Sequence, residues 1–261
     1  MTSVADDRPV LEVRNATKAF LGLVALSHVS FAVRDNIYGV IGPNGAGKTT
    51  LFNLITRVID PTEGEILFDG EPITTRPAHQ IARLGIARTF QNVRLFAHQS
   101  VIENVVMGTY RNTQSGFVRG LFATRYARAE QERARREAMR CLDFVGLAAQ
   151  ADQPAGTLPF GRQRLLELAR ALAMVPRLLL LDEPAAGLND RETEELAGLV
   201  RRLPAQGITV VLVEHNMDLM MSVAERILVL NSGQVLAEGR PDEIRAERAV
   251  IDAYLGVEDV A

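Results

Sequence analysis

The sequence predicts an α/β fold in three parts: a core built on a parallel sheet, an antiparallel β subdomain and a helical subdomain. In the second half of the chain, short apolar runs alternate with helix-length amphipathic stretches, the pattern of a parallel sheet with crossover helices. The N-terminal third instead reads as strands separated by turn residues. Between them, about residues 92–175, lie the long helical runs expected at 127–144 and 161–174.

Taken in order, residues 1–9 are polar and expected to fray. Leu11-Glu12-Val13, the alternating Val29-Ser30-Phe31-Ala32-Val33 and Tyr38-Gly39-Val40-Ile41 read as strands, and a helix is expected over 50–57. Asp60-Pro61-Thr62-Glu63-Gly64-Glu65 is turn chemistry, followed by a strand at Ile66-Leu67-Phe68 and a turn at Asp69-Gly70. These elements form the expected antiparallel subdomain. Further on come a buried strand at 178–182, a helix at 190–203, a strand at 209–213 and a helix at 217–223. Asn231-Ser232-Gly233 between two apolar runs reads as a hairpin turn. Pro at position 241 opens a helix, and an apolar helix at 250–255 closes the fold. Residues 10–256 are therefore expected to form one unit of function, with a short tail at 257–261.

Composition narrows the function classes. With 47% apolar and 23% charged residues the chain is an ordinary globular protein, and a net charge of −3 gives no global case for a nucleic-acid partner. The single cysteine, Cys141, excludes an internal disulfide and a CxxC metal site; with no secretory segment ahead of the fold, a reducing cytoplasm is expected. Cys141 itself reads as a small apolar helix residue. The longest strictly apolar run, residues 178–181, is far short of the ~20 residues that cross a bilayer. Any membrane work then falls to a partner. One local departure is basic: residues 111–140 hold eight arginines and three glutamates. This insertion reads either as a solvated helix face laced with i,i+4 pairs such as Glu132 to Arg136, or as a surface for acidic lipid headgroups or a membrane partner, with Phe117, Leu121, Phe122 and Tyr126 as anchors.

The chemistry begins at Gly42-Pro43-Asn44-Gly45-Ala46-Gly47-Lys48-Thr49, followed by Thr50, which fits G-x-x-x-x-G-K-[ST] between a strand and a helix. Glycines let successive N–H groups point inward, forming an anion cradle at a helix start whose dipole also favours negative charge. Lys48 is placed to neutralise β- and γ-phosphates, and Thr49 to offer its hydroxyl to Mg²⁺. This makes the core a P-loop NTPase. Downstream, Leu178-Leu179-Leu180-Leu181-Asp182-Glu183 is a buried strand ending in two acids at the rim where α/β sheets bind ligands. Strand alternation sends Asp182 and Glu183 opposite ways, one to hold Mg²⁺ through water and the other to polarise an attacking water.

On these motifs the chain resembles the ATP-binding subunits of ABC transporters over nearly all its length. The resemblance implies ATP and Mg²⁺ as ligands. It makes Gln91, in Arg88-Thr89-Phe90-Gln91-Asn92, a Mg²⁺ ligand that senses the membrane partner, and His215, in Val213-Glu214-His215-Asn216, a contact to γ-phosphate. Phe20 matches the aromatic position that stacks on adenine, a role Phe fills as well as Tyr because stacking needs only an exposed π-face. Leu158-Pro159-Phe160-Gly161-Arg162 stands where the family has its L-S-G-G-Q signature, the segment that closes over the ATP held by the opposite subunit. Pro159 offers neither hydroxyl nor N–H there. The resemblance therefore implies two unequal ATP sites if the working pair is a heterodimer. Asn189 replaces the usual Asp of the loop Ala185-Ala186-Gly187-Leu188-Asn189-Asp190, keeping hydrogen bonding across the subunit boundary without the charge.

Within the family the chain is similar to the larger ATPase subunit of branched-chain amino acid importers. The likeness rests on Ala82 to Gln91, the arginine-rich insertion after Met107-Gly108, Glu183-Pro184-Ala185-Ala186-Gly187-Leu188-Asn189 and the ending Ala253-Tyr254-Leu255-Gly256. Cassettes for urea and short amides and for lipopolysaccharide export are similar; a soluble non-transport ATPase or an idle regulatory cassette are further alternatives. The resemblance implies two transmembrane permease subunits, with residues 88–103 receiving a coupling helix. It also implies a second ATPase cassette, identical or not, a periplasmic solute-binding protein acting indirectly, and a peripheral place on the cytoplasmic face of the membrane.

Overall fold

A computed structural model describes residues 8–34, 36–89, 94–109 and 125–255, the side chains of 125–128, 254 and 255 excepted. In chain order its elements are β1 (Leu11–Phe20), β2 (Leu23–Val33), β3 (Ile37–Ile41), α1 (Lys48–Ile55), β4 (Glu63–Phe68), β5 (Glu71–Pro72), α2 (Ala78–Leu84), β6 (Ile86–Arg88) and α3 (Val101–Thr109). There follow α4 (Arg125–Phe144), α5 (Phe160–Leu172), β7 (Leu178–Asp182), α6 (Asp190–Arg202), β8 (Thr209–Val213), α7 (Met217–Val223), β9 (Arg226–Asn231), β10 (Gln234–Gly239), α8 (Pro241–Ala246) and α9 (Arg248–Leu255). The chain divides into two compact units, Met1–Ile81 with Leu203–Ala261, and Ala82–Arg202.

The first unit contains two sheets. β2-β1-β4-β5 is antiparallel throughout, as the turn-rich N-terminal third predicts. β1 runs past its apolar stretch through the polar Arg14, Asn15, Thr17 and Lys18, and β2 begins ahead of its alternating run at Leu23 and Val24, apolar residues that stand exposed, so neither end shows a clean alternation. The second sheet places β3 between β8 and β9, parallel to both, with β10 antiparallel at the edge. All five residues of β3 are buried, so it reads as a continuous apolar run. β9 and β10 are joined through Ser232 (φ 47°) and Gly233 (φ 76°), the two positive φ values that a tight hairpin turn requires. Helix α1 begins two residues earlier than expected, because the phosphate-loop motif itself runs into the first helical turn.

The second unit joins β6 and β7 in parallel and adds a helical layer. The four leucines and Asp182 of β7 are all buried, as a strand covered on both faces demands. Ala138, Cys141, Leu142 and Val145 form the buried stripe at the C-terminal end of α4 and just beyond it. Its exposed face carries the expected i,i+4 pair, Arg136 to Glu132 at 3.6 Å. Residues 110–124, with Phe117, Leu121 and Phe122, lie outside the described residues, as does the Tyr126 side chain. Ser100 and Glu103 make a reciprocal capping box at the start of α3, so that helix opens at Val101. α3 then approaches α5 so closely at Gly108 that a Cβ there would stand 2.3 Å from the Arg170 carbonyl oxygen. The elements α2, β6 and α3 were not read from the sequence.

Candidate functional site

In the first unit the loop from Gly42 to Thr49 connects β3 to α1. Gly42, Gly45 and Gly47 all have positive φ (152°, 79° and 103°). A Cβ at Gly42 would lie 2.1 Å from the Leu230 carbonyl oxygen, and one at Gly47 would lie 2.8 Å from that of Ala25, whereas Gly45 has open space. The outer glycines are thus required by both conformation and crowding, the middle one by conformation alone. Lys48 is 6% exposed, and its ammonium donates to the carbonyl oxygens of Gly42 at 2.6 Å and Pro43 at 3.0 Å. The loop is therefore curled around its own cation. Asn44, Gly45 and Thr49 stand exposed, Thr50 is half-buried and Ala46 is buried. The first turn of α1 contains no acidic residue of its own to offset the positive end of the helix dipole.

His215 lies exposed just after β8. The loop that carries it is fixed by Glu214, whose buried carboxylate accepts the N–H groups of His215 at 3.0 Å and Asn216 at 3.3 Å. Asn216 in turn caps α7 by accepting from the Leu219 amide. Phe20 ends β1 with 43% of its surface exposed, and the Lys18 ammonium stands 4.9 Å from its ring centroid. An aromatic left this exposed is not a core residue.

In the second unit Asp182 is the last residue of β7, and its Oδ2 lies 2.7 Å from the Arg88 guanidinium, with both side chains only 6% exposed. Glu183 follows with φ 48°. This corrects one expectation: strand alternation does not set the direction of Glu183, because the strand stops at Asp182 and the backbone turns into the left-handed region. Gln91 lies outside the described residues. Leu158 is buried, Pro159 sits at the N-cap of α5 without a side-chain cap bond, and Phe160 opens the helix. The Phe160 ring lies against Gly187, and Arg164 stacks over it at 5.2 Å. Gly161 is covered so closely by the Glu192 carboxylate that a Cβ would meet its Oε1 at 2.3 Å, while Arg162 pairs with Glu195 at 3.1 Å. Asn189 accepts from the Glu192 amide at 3.0 Å and caps α6.

Sequence reasoning did not find Arg88 as the partner of Asp182 or Glu214 as the anchor of the His215 loop. For Asp182 the available signal was an acid at the end of a fully buried strand, and for Glu214 an acid directly after the mostly buried β8.

The chain belongs to the ABC transporter family of ATP-binding proteins, whose members are ATPase cassettes: that family's model matches residues 26–186. Residues 234–260 further match the model described as branched-chain amino acid ATP-binding cassette transporter. The chain is 46% identical over 251 residues to the high-affinity branched-chain amino acid transport ATP-binding protein BraF of Pseudomonas aeruginosa, covering 95% of this chain and 98% of that one. Among solved structures it is similar to the ADP conformation of MJ1267, an ATP-binding cassette of an ABC transporter, with 31% identity, a TM-score of 0.83 and coverage of 95% and 99%. It is also similar to the dimeric structure of MJ0796, a bacterial ABC transporter cassette, with 26% identity, a TM-score of 0.75 and coverage of 88% and 98%. Among the described residues no helix is long and apolar enough to cross a membrane.

Proposed function

We propose that this chain is the ATP-hydrolysing subunit of an importer for branched-chain amino acids or related small polar solutes, working as one of a pair of cassettes beneath two permease subunits. The observation that carries the reading is the Lys48 cradle: a buried ammonium held by loop carbonyls at the start of a helix with no acid in its first turn. In this reading the loop amides and Lys48 hold the phosphates of ATP, Phe20 stacks on the base, Glu183 polarises the attacking water and His215 meets the γ-phosphate. Pro159, Gly161 and their neighbours serve the ATP held by the second cassette.

The donor chemistry fits Mg²⁺: a Thr49 hydroxyl, an Asp182 carboxylate and the amide oxygen of Gln91 are hard oxygen ligands. Among the described residues no cluster of three or more His, Cys, Asp or Glu could hold a metal. An ion bound mostly by phosphate oxygens and water needs no such cluster. Mg²⁺ would neutralise charge developing on the phosphoryl oxygens.

ATP binding shifts the pair toward a closed state in proportion to its preference for that state, and hydrolysis reverses the shift. Closure would turn the permeases, which receive solute from a periplasmic binding protein, so the chain would lie peripherally on the cytoplasmic face. ATPase measurements on wild type and Glu183→Gln, beside calorimetric ATP binding by Lys48→Ala, test the reading. Hydrolysis should vanish in the first variant with ATP binding retained, and binding should weaken in the second. Undiminished ATP uptake by Lys48→Ala would overturn it.

A further inference from the structure

Two charged side chains on α5 grip a loop that is remote in sequence. Glu167, 3% exposed, accepts the Arg94 amide N–H at 2.9 Å, and Arg170 donates to the carbonyl oxygen of the same residue. Glu167 and Arg170 approach each other to 3.5 Å, and Arg164 lies 3.6 Å from the other oxygen of Glu167. Two residues further along, the fully buried Asn104 of α3 treats Phe96 in the same way, accepting from its N–H at 2.9 Å and donating to its carbonyl at 3.1 Å. Residues 94–96 belong to no helix or strand, yet their backbone is fixed by side chains from two helices. The Phe96 side chain meanwhile remains 51% exposed.

Such a grip is costly to build. Burying a carboxylate favours its neutral form, and desolvation raises the Glu167 pKa despite the Arg94 amide and three arginines around it. Apolar contacts would hold a loop without that cost. What they lack is direction: charge-assisted hydrogen bonds to both polar groups of one peptide residue fix its position along the helix as well as against it.

We propose that Glu167 and Arg170 are positioning residues that couple the segment following Gln91 to the helix that the Leu158–Arg162 signature leads into, so that displacement of either moves the other. This rests on the functional reading above, in which nucleotide meets the signature and a membrane partner meets the segment after Gln91. Glu167 lies seven residues beyond Phe160 on one uninterrupted helix, a rise of roughly 10 Å, and a helix of that length moves as a rod.

Hydrogen exchange read by mass spectrometry on the full chain tests the link, in a Glu183→Gln background with and without ATP. The reference chain should gain ATP-dependent protection both at 158–165 and at 94–100. Glu167→Leu and Arg170→Met should each keep the first response and reduce the second about fivefold, the effect of losing one hydrogen bond of ordinary strength. Glu167→Gln, which still accepts the Arg94 N–H, should retain most of it. Arg170 is partly exposed, so Arg170→Met serves should Glu167→Leu not fold. Full protection at 94–100 in Arg170→Met, with the signature still responding, overturns the coupling. Absence of any ATP response at 158–165 in the reference chain overturns the functional reading instead.

Discussion

Gly42→Ala is the sharpest test of why the phosphate loop is built from glycine. The new methyl carbon would stand 2.1 Å from the Leu230 carbonyl oxygen, more than 1 Å inside normal contact at about 3.4 Å. Neither side can retreat easily, because β3 and β9 are paired in parallel with Ile41 opposite Val229. Holding a residue with a Cβ at φ 152° costs about 1–3 kcal/mol, and forcing a methyl into filled space costs about another 1–3 kcal/mol. The expected loss is therefore about 2–6 kcal/mol, a large share of a typical domain's stability. Gly45→Ala is the internal control: φ is 79° but no atom lies within 4 Å of the added carbon, so only the conformational cost of about 1–3 kcal/mol should apply, without the crowding. Urea unfolding of both variants, followed by nucleotide titration at a denaturant-free reference, separates the two terms. Equal midpoints for Gly42→Ala and Gly45→Ala would refute the crowding argument.

Three further outcomes are expected. Arg88→Met leaves Asp182 buried without its guanidinium and should cost about 3–5 kcal/mol in urea unfolding; an unchanged midpoint would show that the pair is not needed. Burial pushes the Cys141 thiol from 9.0 to about 11, so the unfolded chain ionises first: the thiol's contribution is complete below pH 9 and is lost between 9 and about 11, by up to about 3 kcal/mol. Alkylation at pH 9, where a free thiol is half ionised, should accordingly run about 50-fold slower than for a free cysteine, and a Cys141→Ala variant should lack that pH slope. Glu183→Asn places in the left-handed region a residue that tolerates it, so thermal unfolding should occur no lower than in wild type while ATPase activity disappears; a lower midpoint would mean that Glu183 is not strained.

What the sequence disclosed and what it withheld divide along a physical line. The phosphate loop, the leucine strand ending at Asp182 and the Asn231-Ser232-Gly233 turn are local patterns, each set by residues adjacent in the chain, and each was legible. So was the Glu132 to Arg136 pair, because one helical turn fixes its distance. Arg88 with Asp182 is separated by 94 positions and Arg94 with Glu167 by 73, and nothing in composition distinguishes these charges from solvated ones. Glu183 shows a third kind of failure. Alternation was the correct rule for a strand, but the strand ends one residue too soon for the rule to apply.

The candidate site sorts its polar groups by burial. Lys48, Asp182 and Glu214 are nearly inaccessible, and each is bound within its own unit: to two loop carbonyls, to a guanidinium and to two loop amides. Thr49 and His215 are exposed and Glu183 half-buried. Groups of the first kind set geometry, since a charge with its partners in place stays where it is before any ligand arrives. In the functional reading proposed above, groups of the second kind meet the ligand. Such an arrangement lowers the reorganisation needed when phosphate charge develops, and it explains why a buried lysine is worth keeping in a loop whose own carbonyls it occupies. Were the ammonium exposed and solvated, phosphate binding would have to displace water and immobilise a four-carbon stem; here the stem is already ordered and its ammonium is held on the loop carbonyls.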